Sequence, residues 1–225
     1  MPNNKCIYIV TGLPRSGTSM MMKMFDAGGI KPISDGLRQA DIDNPNGYYE
    51  LEAVKDIKTD VSWLEDAPGK VVKMVSMLLF NLPSTYEYKI VFMRRKMAEI
   101  IASQNRMLTR LGEKAEKNDE EMGKLYELHL AEIIDWLSKK SNIKFVEINY
   151  NQIMIDPLRE LNRLVPLCED QLNIDEMAKV VNASLYRQRG ADGKPAKHAD
   201  IKTNESLKDD EQSQIEEQLQ SLGYM

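Results

Sequence analysis

Cysteine and histidine are scarce in this sequence: its 225 residues hold two of each. Cys6 and Cys168 lie far apart, as do His129 and His198. That spacing fits neither a disulfide framework nor a set of zinc ligands, so no metal site is expected. Long apolar runs are missing too; none approaches the ~18 residues of a membrane span. The opening, MPNNKCIYIVTG, passes from a polar lead straight into an apolar run without a signal-peptide pattern. A reducing, cytoplasmic setting with no membrane partner is the expectation. Basic excess is also lacking, since Lys+Arg 30 stand against Asp+Glu 35 for a net charge of -5. A general nucleic-acid binder is thereby excluded, but not a small anion held by a few focused arginines. With 42% hydrophobic residues, a chain of this length can bury about 70% of its unfolded surface. The expectation is one domain over 1–205 followed by a helical tail over 206–225.

Short β-branched runs alternate with helical patterns along the chain. Cys6 to Val10, Lys70 to Val75, Tyr88 to Met93 and Ile143 to Ile148 read as buried strands. Helical spacing is present over Ser16–Ala27, Leu51–Trp63, Lys96–Leu111, Lys124–Lys140, Pro157–Cys168, Ile174–Val181 and Ser206–Leu222. Lys31 to Tyr48 is punctuated by Gly and Pro and reads as loop or short helix, while Gly112 to Gly123 is a charged run, a solvated helix face or a lid. Met20, Met21, Met22 and Met24 read as core filler. The alternation specifies an α/β fold, three layers with a mainly parallel central sheet flanked by helices.

Chemistry enters at Gly12-Leu13-Pro14-Arg15-Ser16-Gly17-Thr18-Ser19, between the first strand and first helix. G-x-x-x-x-G followed by hydroxyl residues is the frame of a phosphate loop, whose backbone N–H groups and helix start attract an anion. A nucleoside-triphosphate loop carries lysine after the second glycine, and here that residue is Thr18. The cation sits inside the loop instead, at Arg15, whose planar fork can clamp two oxygens. The loop therefore suits a shorter anion, a 5′-phosphate or phosphosulfate.

LPRSGTS resembles the first motif of the sulfotransferases that use 3′-phosphoadenosine 5′-phosphosulfate (PAPS). The arginine variant is similar to protein-tyrosine sulfotransferases and to bacterial sulfotransferase-like proteins. The resemblance covers roughly residues 6 to 195 and implies a P-loop NTPase-like sulfotransferase fold. It also implies a second motif, an arginine at a later strand end and a serine eight residues on, which together hold the 3′-phosphate. Arg95 and Ser103 fit that spacing; Arg94 is the adjacent competitor, and Lys96-Met97 departs from the family's Asp-Pro. Tyr150, ending VEINY, is implied near the adenosine, and Asp156-Pro157 starts the next helix. RQRGADG, with Arg187, Arg189, Gly190 and Gly193, is similar to a basic loop that closes over the 3′-phosphate; a solvated tail is the other reading.

The resemblance implies sulfuryl transfer to a hydroxyl or amine. Gly12, Pro14, Arg15, Ser16, Gly17, Thr18 and Ser19 are then the 5′-phosphate cradle. Arg15 and Lys73, the latter at a strand end, are the catalytic cations. A base must take the acceptor proton, and Glu50 in NPNGYYE is the first candidate, ahead of Asp41 and Asp43. Neither His129 nor His198 falls where the family's histidine stands. Two alternatives stay open: a lysine-less P-loop kinase or nucleotide hydrolase, and a nucleotide-binding module without catalysis. A small molecule, glycan or peptide would be the acceptor; its identity and the oligomeric state are not legible.

Overall fold

Side-chain alternation along the strands dictates the layering. Ile7 and Ile9 of the first strand, β1 (Cys6–Gly12), face one core, and Tyr8 and Val10 face another. The same division separates Ile90 and Phe92 from Val91 and Met93 in β3 (Glu87–Arg94), and Val72 from Val71 in β2 (Val71–Lys73). A strand apolar on both faces needs cover on both sides, and its neighbours are then joined by crossovers. With β4 (Ile143–Asn149) the order is β2-β1-β3-β4, every pair parallel. The computed structural model describes residues 6–39, 41, 44, 47–113, 118–169, 171–181 and 207–225.

One face of the sheet is covered by α2 (Met97–Leu111), α3 (Asp119–Ser138) and α8 (Asp209–Ser221), with Ile100, Met107, Tyr126, Ile133, Ile215 and Leu219 buried there. The other carries α1 (Thr18–Ala27) and four short helices: α4 (Tyr150–Ile153), α5 (Pro157–Leu161), α6 (Val165–Cys168) and α7 (Ile174–Lys179). The methionines of α1 do fill this second core, since Met21, Met22 and Met24 are fully buried. Truncating one to alanine costs about 2–5 kcal/mol.

Two helical expectations change form. Leu51–Trp63 is not one α-helix but two 3₁₀ segments, Glu52–Val54 and Ser62–Asp66, with turns between. Asp56, Thr59 and Asp60 spend their bonding locally: Thr59 Oγ1 donates to the Asp56 carbonyl, and Ser62 N donates to Asp60 Oδ1. Pro157–Cys168 is interrupted by a 3₁₀ turn over Asn162–Leu164. Conversely α3 begins inside the charged run. Asn118 caps it by accepting from the amides of Glu120 and Glu121, and Asp119, Glu120 and Glu121 occupy its electropositive first turn.

His129 faces the core from α3. Its Nε2 lies 2.8 Å from Ser76 Oγ, and burial pushes its pKa down to about 4. That makes it a neutral tie between α3 and the segment following β2.

Register then sets the site. Gly12 pairs with Met93, Val10 with Lys73, and Arg94 with Asn149, so Gly12, Lys73, Arg95 and Tyr150 emerge along one edge of the sheet. That edge is the carboxyl end of the strands, beside the point where strand order reverses, where open α/β sheets form their ligand crevice.

Candidate functional site

The loop after β1 takes a conformation that only its particular residues allow. Gly12 lies at φ 144, and a Cβ there would meet the Met93 carbonyl at 2.6 Å and Ser16 Oγ at 2.7 Å. Gly17 lies at φ 102 beneath the Tyr150 ring, which a Cβ would strike. Arg15, between them, holds φ 74, a left-handed conformation that is unfavourable for a non-glycine residue. Among the described residues Ser16 Oγ and Thr11 Oγ1 are buried without a hydrogen-bond partner. Such orphaned hydroxyls cost energy unless a ligand satisfies them.

What holds the loop is α2. Gln104 Nε2 donates to the Pro14 carbonyl at 3.1 Å, and Gln104 Oε1 accepts from Tyr126 Oη at 2.9 Å. Arg95 Nη1 donates to the Arg15 carbonyl at 2.9 Å, while Arg15 Nε donates to Ser103 Oγ at 3.0 Å. Both residues of the second motif thus touch the cation of the first. Arg95 is braced in turn. Its Nε pairs with Glu99 at 2.9 Å, the two side chains being 9% and 3% exposed, and its guanidinium lies 4.6 Å over the Tyr150 ring. Asn151 Nδ2 donates to both Glu99 oxygens, each at 3.1 Å. Arg94 instead reaches Glu147 on β4, 3.4 Å away.

At the end of β2, Lys73 enters the same crevice almost fully buried. Its Nζ donates to the Tyr48 carbonyl and, at 2.9 Å, to Glu50 Oε1, with Ser19 Oγ 3.5 Å off. The reason two acceptors converge there is Tyr49, at φ 52, which turns the chain so that its neighbours' groups face one point. Burial pulls the Lys73 pKa down to about 8, the opposing pull of Glu50 notwithstanding. Glu50 is shared with Arg38, whose Nη1 lies 3.2 and 3.1 Å from its two oxygens. The Arg38 guanidinium stacks 3.9 Å from the Tyr48 ring and 5.0 Å from the Tyr224 ring.

The structure therefore brings together Gly12, Pro14, Arg15, Ser16, Gly17, Thr18, Ser19, Glu50, Lys73, Arg95, Ser103 and Tyr150 around one loop. Asp41 is set apart from Glu50: it accepts from Tyr48 Oη at 2.8 Å and from Arg110 at 3.1 Å. Asp156 caps α5 through the Arg159 amide. Arg187, Arg189, Gly190, Gly193, Asp43 and His198 lie outside the described residues. Sequence reasoning missed Arg38, Glu99, Gln104 and Tyr224. Glu99 had a signal, lying four residues from both Arg95 and Ser103; Gln104, Arg38 and Tyr224 had none beyond the chain's fold.

No family model matches the chain, and no curated protein matches it. Among the described residues no helix is long and apolar enough to cross a membrane. Among solved structures, the chain is similar to the sulfotransferase domain from the curacin biosynthetic pathway: 15% identity, 97% of this chain and 98% of that one, TM-score 0.46. It is similar to sulfotransferase STF9 from Mycobacterium avium at 14% identity, over 80% of this chain and 68% of that one, TM-score 0.49. A third similarity is to the sulfotransferase domain from the Synechococcus PCC 7002 olefin synthase, at 17% identity over 94% of both chains, TM-score 0.43.

Proposed function

We propose that this chain is a sulfotransferase that takes a sulfuryl group from PAPS and delivers it to a hydroxyl or amine acceptor. One observation carries the reading: the lysine-less phosphate loop and the Arg95–Ser103 pair, distant in sequence, interlock through Arg15. A triphosphate loop has no use for that second anion anchor, whereas a nucleotide phosphorylated at both 3′ and 5′ positions needs one. The residues fit such a ligand. Gly12 and Gly17 let the loop pack tightly against Met93 and Tyr150, and Ser16 Oγ and Thr11 Oγ1 are buried hydroxyls lacking partners among the described residues.

In this reading the amides of Gly17, Thr18 and Ser19 at the start of α1 hold the 5′-phosphate end. Arg95 and Ser103 hold the 3′-phosphate, and Tyr150, lying over Gly17 and Arg95, stacks near the adenosine. When bound, PAPS supplies an activated sulfuryl group. Arg15 and Lys73 neutralise negative charge that develops on its oxygens in a water-poor crevice, where such cations act most strongly. Glu50, held by Lys73 and Arg38 at the crevice wall, accepts the acceptor's proton.

Calorimetry with adenosine 3′,5′-bisphosphate, against ATP with Mg²⁺, tests the donor. The bisphosphate is expected to bind much more tightly, and equal or better ATP binding would refute the reading in favour of a kinase or hydrolase. A labelled-sulfate transfer assay with Glu50→Gln as control then tests catalysis. Removing a general base costs roughly 10²–10⁴-fold in rate; a parent protein that binds the bisphosphate but transfers nothing is a binding module.

A further inference from the structure

Asp35 fixes the backbone around Arg38. Its Oδ1 accepts from Leu37 N at 2.9 Å and its Oδ2 accepts from Glu52 N, while Asp35 N donates to the Glu50 carbonyl at 3.1 Å. One short side chain thus staples the stretch that carries Arg38 to the stretch that carries Glu50, with Gly36 at φ 69 turning the chain between Asp35 and Leu37. Arg38 therefore meets Glu50 from a braced backbone, although 12 residues separate the two.

The guanidinium is held by two kinds of contact. Nη1 lies 3.2 and 3.1 Å from the Glu50 oxygens, and the group stacks 3.9 Å from the Tyr48 ring and 5.0 Å from the Tyr224 ring. Glu50 links it onward to the phosphate loop: Oε1 accepts from Lys73 Nζ at 2.9 Å, and that nitrogen lies 3.5 Å from Ser19 Oγ in the first turn of α1. Arg38 thus reaches the loop through Glu50 and Lys73, whereas Arg95 and Ser103 reach it through Arg15.

Half of the Arg38 fork is unspent. Among the described residues its Nε and Nη2 donors meet no acceptor, and the side chain is 25% exposed. Water satisfies that edge while the crevice is open. A ligand that covers it must bring oxygens of its own, because a desolvated guanidinium N–H left unpaired costs binding energy. The Nε and Nη2 donors point in parallel and match the two oxygens of a carboxylate. Because the ring contacts and Glu50 already fix the side chain, little rotamer entropy is lost when that edge is filled.

We infer that Arg38 selects the acceptor: its open edge binds a carboxylate while the hydroxyl or amine of the same molecule meets Glu50, so the acceptor is a hydroxy- or amino-carboxylate. The inference rests on the sulfotransferase reading. In the step, the acceptor oxygen or nitrogen bonds to sulfur as the bond from sulfur to the bridging oxygen of the phosphosulfate breaks. The bisphosphate leaves with that electron pair, and the acceptor proton passes to Glu50. The carboxylate on Arg38 takes no part in the bond changes; it sets which molecule reaches the base.

The test starts from protein saturated with adenosine 3′,5′-bisphosphate, once calorimetry has established that binding. Lactate, serine, mandelate and tropate, each beside its methyl ester, are titrated into the complex at millimolar concentration and then compared as acceptors of labelled sulfate from PAPS. The acids are expected to be favoured over the esters by roughly 10- to 100-fold, in affinity and in kcat/KM, as for bonds between charged groups. That preference should collapse in Arg38→Met, which leaves Glu50 its Lys73 partner and whose bisphosphate affinity checks the fold. Arg38→Lys, a charge without the fork, should restore only part of it. The binding titration decides wherever no probe turns over. Equal treatment of acids and esters by the parent, binding of neither, or a preference that survives in Arg38→Met overturns this inference alone. Failure of the bisphosphate to bind overturns the donor assignment and the inference with it.

Discussion

Replacing Lys73 by methionine removes the buried ammonium from the end of β2 while keeping a straight, unbranched side chain in its place. The native lysine is displaced from 10.5 to about 8 by burial. It therefore holds its proton less tightly in the folded chain than in the unfolded one. Between those two values the unfolded chain carries more protons, so stability rises with pH. The cost of keeping the ammonium buried is fully present below about pH 8 and fades towards 10.5; it amounts to about 3 kcal/mol. About 2 kcal/mol of that is recovered between about pH 7 and about pH 9.5, a window below the range where phenols titrate. Urea unfolding of parent and K73M across this window is the assay. At a slope of about 2 kcal/mol per molar urea, the parent's midpoint should gain roughly 1 M relative to the variant's. The thiols of Cys6 and Cys168, pushed up by burial, titrate alike in both proteins and cancel in the difference. A midpoint difference that stays constant with pH would refute the argument, because it would mean that water or Glu50 fully offsets the desolvation of Lys73.

Three further outcomes follow from the same geometry. Arg95→Met should cost about 3–5 kcal/mol in urea unfolding, because it strands Glu99, 3% exposed, without its cation; the double variant with Glu99→Met should recover most of this while still failing to bind the bisphosphate. Ser103→Ala should fold normally and weaken adenosine 3′,5′-bisphosphate by roughly 10- to 100-fold in calorimetry, the worth of about one hydrogen bond to a charged group. His129, held near pKa 4 against 6.5 when unfolded, contributes stability that is present above about pH 6.5 and lost as pH falls towards 4, about 3 kcal/mol in all; His129→Gln should flatten that acid limb in pH-dependent urea melts.

How far the sequence discloses this arrangement depends on whether a residue's role is set by its neighbours or by the fold. The β1–loop–α1 unit is legible because glycine, proline and hydroxyl residues are each demanded by local backbone geometry. Arg95 and Ser103 are legible together only through the family resemblance that pairs them: Arg95 lies between β3 and α2, Ser103 lies on α2, and both reach Arg15. Leu51–Trp63 misleads for a physical reason: of Val54, Ile57 and Val61, whose spacing suggests a helix, the first two are buried but Val61 is exposed, and the polar residues between them favour turns over an α-helix. Arg38 sits in an aperiodic stretch, and nothing local says that it will pair with Glu50. Tyr224 depends on α8 docking beside α3, a contact between segments remote in sequence.

The charge pattern of the crevice explains how a chain of net charge -5 can still present a positive site. Arg15, Arg38, Lys73 and Arg95 converge there, and a bare cluster of that kind could not be buried, because each cation loses its hydration. Glu50 lies between Lys73 and Arg38, and Glu99 holds Arg95, which lowers the cost of burial. Four cations against two carboxylates leave positive charge for an anion to complete. The acidic surplus elsewhere lies largely on solvated faces, such as the first turns of α3 and α8, where water screens it. Net charge is thus a poor guide to the local charge of this crevice, since a ligand placed there would respond to a handful of desolvated groups at one sheet edge and hardly to the surface beyond.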